Sequence, residues 1–454
     1  MAKAAGSRKA VNAANLRNLG AEALAELLME LADRQPNTKR RLRMELAARV
    51  GPGDLAAEID KRLDVLGASR ARVSWRKRPE LVVDLDVLRR MIAGTLGALN
   101  ADLALDRLWV FLELAESLSS RASDPKGEIA QVFDAAAADL GRLIAASSHL
   151  PAILASRLAL AILTDSGARW SDWLAAALPG FKAGMAADVL ARLEAQAKPH
   201  FWTPSHLRVA RLLADAADDA DAYLRAVPAA LQKTPSVGAE IARRLLKAGR
   251  VEEALAALMA SDPRAPKAKP LFGKAVPSSA TDEDWESAYI EALDRSGEGK
   301  RAQAARRTAF ELSLSAQRLR DYVKGLPDFD DVVATDELLA FAAGHKDFTA
   351  ALRLFMDWPS HNDAAKLIVA RRGEIDGGAP ECLDWATRLE SRYPLAAVLL
   401  MRANALDAMS RVGVDREAIL ARLEDIAALS ISVTDWQGAP TAEEFGRTTV
   451  QRRR

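Results

Sequence analysis

The sequence predicts an all-α protein, an irregular α-solenoid of stacked antiparallel helix pairs with essentially no sheet. Three observations carry that reading. Half of the residues are apolar and only 5% are aromatic, with Ala and Leu, both strong helix formers, dominating the apolar set. Apolar positions recur at the helical period along most of the chain, and no sustained period-2 alternation displaces it. Short breaks carrying Pro, Gly, Asp or Ser separate one amphipathic run from the next, the punctuation of helix-turn-helix connections.

The elements follow in order. Leu24, Leu27, Leu28 and Leu31 fall at i, i+3, i+4 and i+7, which predicts one helix with a single apolar face to bury. Asp54 is expected to cap a helix whose stripe is Leu55, Ile59, Leu63 and Leu66; after Pro79 the stripe resumes at Leu81, Leu85, Leu88 and Ile92. From Asp102, apolar residues between Leu103 and Leu114 cover nearly the whole circumference, which predicts a helix buried among others. The break Ser123-Asp124-Pro125 supplies a cap and a helix-start proline for the stripe Ile129, Val132, Phe133, Ala136, Leu140 and Leu143. Further helices are expected to begin near Pro151, Ser205 and Val237.

Composition divides the chain. We expect a disordered basic arm (1–18), an N-terminal helical block with a basic patch (19–150) and a central helical-repeat block (151–260). A Pro/Lys-rich linker follows (261–281), in which Pro263, Pro266, Pro270 and Pro277 stand among Lys267, Lys269 and Lys274 and forbid a regular helix. A C-terminal helical block (282–434) and a mobile tail (435–454), which loses the apolar stripe, complete the order.

The run from Leu245 through Gly249 to Leu258 reads as one helix stopped by glycine and a second starting within three residues, with small Ala254 where two helices approach closely. Ala242, Leu245, Ala254 and Leu258 occupy positions that resemble half a tetratricopeptide repeat, while the aromatic residues and closing proline of that motif are out of register. Weaker echoes at Ala302 and Ala351 follow at intervals of 48 and 49 residues. These exceed the tetratricopeptide length of about 34 residues, which predicts a divergent array.

The C-terminal block carries Trp285 with Glu291-Ala292-Leu293, Leu314-Ser315, Leu319-Arg320, Leu326 to Asp331, Trp358-Pro359 and Pro394 to Ala397. As a set these residues are similar to an uncharacterised helical family of proteobacterial proteins known as a domain of unknown function. The regions Leu42 to Arg90 and Asp102 to Leu143 also resemble it, so the likeness spans most of the chain. The resemblance implies an all-helical bacterial protein and assigns no activity. It also implies a closing basic segment with histidine, whereas here the chain after Met409 runs through Asp435-Trp436 without one.

Charge is unevenly spread. Residues 1–100 hold 19 Lys and Arg against 12 Asp and Glu, so a net +1 chain divides into +7 there and −6 elsewhere. The lone cysteine, Cys382, precludes an intrachain disulfide and a multi-thiolate zinc site. The N-terminus lacks the apolar core of a secretory signal, and the longest apolar stretch, Leu150 to Leu163, is too short to span a bilayer, so a cytoplasmic protein is expected.

Catalytic and cofactor motifs are not met. Gly51-Pro52-Gly53-Asp54-Leu55-Ala56 has dinucleotide-fingerprint spacing, but a helix precedes it where the mechanism needs a strand. Gly297-Glu298-Gly299-Lys300 lacks the first glycine and the Ser or Thr of a phosphate loop. His149, His200, His206, His345 and His361 form no i, i+4 pair, so no metal site is expected. Asp328, Asp330 and Asp331 beside Phe329 lack the glycine and distal glutamate of a calcium hand and read as a helix stop with an anchoring aromatic. No catalytic residue, metal or cofactor is assigned.

The strongest candidate contacts are Lys39, Arg40, Arg41 and Arg43, then Arg70, Arg72, Trp75, Arg76, Lys77 and Arg78, with Lys61 and Arg62 between them. Cations around an aromatic ring suit phosphate contact with base stacking, or an acidic partner; Glu45, Glu58, Asp60, Asp64, Asp84 and Asp86 are interleaved and can neutralise the patch. Two readings stand: a helical-repeat scaffold or adaptor binding a protein partner, and a nucleic-acid-associated helical protein using the basic N-terminal region.

Overall fold

The computed structural model describes residues 10–165, 168–196, 202–265, 282–411 and 416–451. Among them the chain is helical with no strand; one isolated bridge joins Val73 to Ala122. The helices form two compact units, Met1–Pro228 and Ala229–Arg454.

The first unit contains α1 (Ala13–Arg17), α2 (Ala21–Arg34), α3 (Pro36–Val50), α4 (Pro52–Ala68) and α5 (Arg78–Arg90). A π-helical segment, Met91–Leu96, joins α5 to α6 (Gly97–Leu99). Then come α7 (Ala101–Arg121), α8 (Glu128–Ala146), α9 (Pro151–Thr164), α10 (Trp170–Ala177), α11 (Met185–Gln196), α12 (Pro204–Ala216) and α13 (Ala220–Arg225). The second unit contains α14 (Ala229–Gln232), α15 (Pro235–Lys247), α16 (Val251–Ala260), α17 (Glu283–Arg295), α18 (Gly299–Ser313) and α19 (Ala316–Val323). It continues with α20 (Asp330–Ala343), α21 (Phe348–Asp357), α22 (His361–Ala370), α23 (Cys382–Leu389), α24 (Pro394–Ser410), α25 (Arg416–Ser430) and α26 (Ala442–Gln451).

Local chemistry explains many of the boundaries. Pro36, Pro52, Pro151, Pro204, Pro235 and Pro394 open their helices, where a missing N–H costs nothing. The side chains of Asn100, Asp219, Asp282 and Asp347 accept from the amide three residues on, capping α7, α13, α17 and α21. Asp124 accepts from the amides of Glu128, Ile129 and Ala130, so α8 starts after Gly127 and Pro125 stays in the turn. Asp54 lies within the first turn of α4 and does not cap it; Gly51 holds the cap position without a side-chain bond.

In the first unit α4 packs on α7, α7 on α8, and α8 on α10. As its all-round apolar pattern requires, α7 is central: Leu105, Leu108, Trp109, Phe111 and Leu112 are buried. Ring contacts run from Phe111 to Phe133 at 5.0 Å, on to Trp173 at 6.4 Å, and from Trp173 to Trp170 and Trp170 to Trp109 at 5.6 Å each. Trp173 Nε1 also donates to Asp134 at 2.9 Å. The α8–α10 contact therefore crosses residue 150, and the expected block boundary there is not a boundary of packing.

In the second unit neighbouring helices stack in order, α15 with α16, α17 with α18, α18 with α19, α21 with α22, and α23 with α24. Gly249 and Gly297 stand at φ of 75° and 79°. Each is followed by an amide that reaches back to the helix just ended: Arg250 N–H to the Leu245 carbonyl at 2.8 Å and Glu298 N–H to the Leu293 carbonyl at 3.0 Å. Both turns reverse the chain, and Ala254, Ala302 and Ala351 are fully buried in the helices they enter or echo. An irregular array of helix pairs is what the structure shows.

Three of the expected segments carry contacts of their own. Residues 266–281 of the linker lie outside the described residues, but the helices flanking it belong together: Trp285 Nε1 donates to the Leu258 carbonyl at 3.0 Å and to Ser261 Oγ at 3.2 Å, and Arg264 covers the Trp285 ring at 4.9 Å. The segment expected as a mobile tail contains α26, and its Trp436 and Phe445 rings lie 4.6 Å from the Arg402 guanidinium on either count. Cation–π contact replaces the apolar stripe whose absence prompted the expectation. In the arm, residues 1–9 lie outside the described residues, while α1 is capped by Asn12 accepting from Asn15 N–H at 2.8 Å; residues 452–454 of the last segment also lie outside them.

Candidate functional site

The basic N-terminal run does not form one patch, because its members split by partner. Arg40 and Arg62 both reach the buried carboxylate of Asp84 on α5, and Arg78 bonds Glu128 at 3.2 Å and the Ser123 carbonyl at 3.2 Å. These three cations tie helices together. Lys39 pairs with Asp33 at 3.1 Å and Arg41 with Glu45 at 3.8 Å, both in exposed positions where such pairs contribute little, while Lys61 pairs with Glu58. Arg43, Arg70, Arg72 and Lys77 are exposed and make no ion pair among the described residues.

Five of the predicted residues do share one segment. Between α4 and α5 the chain crosses the end of α7, held by Val73 N–H on the Arg121 carbonyl at 2.9 Å. That crossing turns Arg70, Arg72, Arg76 and Lys77 outward, and Trp75 stands 73% exposed with the Arg76 guanidinium 5.2 Å over its ring. Arg121, half-buried and near Arg70, has its pKa held below the ordinary arginine value, first by desolvation and then by that neighbouring cation.

A cavity of about 750 Å³ lies elsewhere, between α17, α18 and α19 in the second unit. Asp294, Gln303, Arg306, Arg318, Asp321 and Lys324 line it. Arg318 is fixed by two 2.9 Å bonds, to the Glu283 carbonyl and to Ser287 Oγ. Behind it Glu286 is buried on α17, its Oε2 3.9 Å from the guanidinium and without a hydrogen-bond partner. Burial is the main force that raises the Glu286 pKa above the usual carboxylate range, and the nearby Arg318 and Arg264 only partly oppose it. Arg306 bonds Asp294 and, at 3.4 Å, Gln303 Oε1, while Gln303 Nε2 donates to the Tyr322 carbonyl at 2.6 Å. Lys324 is exposed at the rim and makes no ion pair among the described residues.

None of these residues stands among the candidates drawn from the sequence. A signal was present in α18: Arg306 follows buried Ala302 by four positions and precedes buried Phe310 by four, so a cation interrupts the core-facing stripe. A polar residue at such a position has to find partners or line a cavity, and Arg306 does both.

The remaining motifs are structural. Cys382 is buried with its Sγ 3.5 Å from the Leu400 carbonyl, and burial pushes its thiol up to about 11, so the thiolate needed for attack is suppressed. His206 belongs to the cap of α12, exchanging bonds with Thr203; His200 and Phe201 lie outside the described residues. Phe329 is not the expected anchor: it is 84% exposed at φ 76°, while Trp358 does pack at its corner beneath Arg320. No group of three or more His, Cys, Asp or Glu that would hold a metal ion occurs among the described residues, and no helix there is long and apolar enough to cross a membrane.

A comparison with curated proteins finds no match. Among solved structures, the crystal structure of the P58(IPK) TPR domain matches with 13% identity, covering 87% of this chain and 99% of that one, at a TM-score of 0.22. A superposition that loose adds nothing to the fold read from the helices themselves. The sequence matches the model of the family of unknown function DUF6880 over residues 6–206 and 194–452, nearly end to end, and the chain belongs to that family.

Proposed function

We propose that the protein is a helical-repeat scaffold or adaptor that binds a protein partner, and that the α17–α19 cavity receives an acidic segment of that partner. The observation that carries this is the state of its cations: Arg318 is already oriented by backbone and hydroxyl bonds, and Lys324 stands unpaired at the mouth. A preorganised guanidinium loses little entropy on meeting a carboxylate, and a free ammonium beside it adds long-range attraction. Stacked helix pairs supply the rigid walls that hold both.

The test is a fluorescence-anisotropy titration of the full chain with labelled oligoglutamate, with oligolysine as control. Lys324→Glu is expected to weaken oligoglutamate binding about tenfold, the worth of one charge-assisted contact. Equal binding of both peptides, or an unchanged affinity in the variant, would remove the cavity from the proposal. The exposed Trp75 favours one second reading, single-stranded nucleic acid held by Arg70, Arg72 and Lys77 with a base on the indole. Labelled oligonucleotide titrated at two salt concentrations separates the readings: micromolar affinity with a steep salt slope, lost in Trp75→Ala, supports nucleic acid, and its absence leaves the protein-partner reading alone.

A further inference from the structure

We infer that the α2–α3 helix pair is a self-association surface on which a second copy of this chain docks about a two-fold axis. Gln35 alone connects the two helices, and each turns an apolar face to solvent. On α2 only Ala32 is buried, and Leu27, Leu28 and Leu31 are exposed, Leu31 at 47%. On α3 only Met44 is buried, while Leu46 and Val50, one turn apart on another face, are 69% and 76% exposed. Isolated exposed leucines need no explanation, but Leu27, Leu28 and Leu31 on α2 with Leu46 and Val50 on the helix packed beside it put five large apolar side chains in solvent on one helix pair.

Charge identifies the occupant. On α2 Glu22, Glu26, Glu30 and Asp33 face a single Arg34, whereas on α3 Lys39, Arg40, Arg41, Arg43 and Arg49 face a single Glu45. Glu26 and Glu30 flank Leu27 and Leu31, and Arg43 and Arg49 flank Leu46 and Val50, the two arginines making no ion pair among the described residues. A uniformly acidic or basic partner, or an anionic lipid surface, meets one of these helices favourably and is repelled by the other. The surface does complement its own image: a two-fold rotation lays acidic α2 of one copy on basic α3 of the next, twice over, with the leucines between. This surface is separate from the α17–α19 cavity, so either assignment can fail without the other.

The experiment is sedimentation velocity of the full chain from the micromolar range up to its solubility limit, with circular dichroism confirming that each variant stays helical. A concentration-dependent dimer is expected, and Leu31→Glu, at an exposed position, is expected to leave it monomeric. Two charge variants then read the geometry: Glu26→Lys with Glu30→Lys on α2, and Arg43→Glu with Arg49→Glu on α3. Each alone is expected to dimerise at least tenfold more weakly, and an equimolar mixture is expected to recover the affinity, because each pairing in the mixed dimer is again between opposite charges. A wild-type chain that stays monomeric throughout, a dimer indifferent to Leu31→Glu, or a mixture no tighter than its components would overturn the inference.

Discussion

The α2–α3 pair and the α15–α16 pair are built from similar patterns and meet different fates. Both are short-linked, and α2 and α15 each carry a clear apolar period. In α15, Ile241, Ala242, Leu245 and Leu246 are buried, and α16 and α17 close over them; in α2 the period is also regular, yet Leu27, Leu28 and Leu31 face solvent. Amphipathicity tells which face of a helix wants cover. It does not say whether the cover comes from the same chain, and the difference between the two pairs is whether the third helix is supplied from within.

That comparison can be broken by mutation. Leu245→Ala removes a side chain enclosed on all sides and should cost about 2–5 kcal/mol, read from the midpoint of chemical denaturation. Gly238→Ala tests the closeness of the same pair from the other direction, since an added Cβ would overlap Ser261 at the end of α16; overpacking of about 1–3 kcal/mol is expected. Asp282→Ala, which deletes the cap of the helix that covers the pair, should cost about 1 kcal/mol. Leu31→Ala, measured at sub-micromolar concentration where association is weak, should change stability by no more than about 0.5 kcal/mol. A large loss there would mean that α2 is covered within the chain after all.

A pH series sharpens the same contrast between buried and exposed groups. Glu286 is held protonated to a higher pH in the folded state than in the unfolded chain. The folded state therefore binds the extra proton, and the stability this confers is present below the unfolded value of 4.5 and is lost as pH rises through the raised folded value. Glu286→Gln removes that loss, so the variant's stability relative to wild type should climb with pH across this window. A flat difference curve for Glu286→Gln would contradict the burial that the geometry gives it.

Much of the fold was legible in the sequence. The period of α7 foretold a helix buried among others, the glycine stop at 249 foretold a tight reversal, and Pro151 marked a helix start because its missing N–H is tolerated there. What was not legible depends on partners distant in sequence. The linker prolines looked like a domain boundary, but an indole hydrogen bond from Trp285 back to Leu258 joins the helices on either side. The basic run looked like one surface, but Asp84 takes two of its arginines inward and leaves others outside. The cavity residues were passed over because single arginines in an amphipathic helix look like ordinary surface until the stripe they interrupt is known to be buried.

The guanidinium of Arg402 bears on how the second unit would come apart. Its side chain is buried and its pKa is drawn down to about 10 by that burial; one nitrogen donates to the Pro440 carbonyl at 2.5 Å, and two others have no acceptor. The rings of Trp436 and Phe445 are most of what keeps this cation from being bare. Clipping the chain ahead of Asp435 would thus be no neutral trimming of an end: it would strip the lid from a desolvated charge and flood α24 with water. The docking of α26 and the dryness of α24 are thus linked through one buried cation.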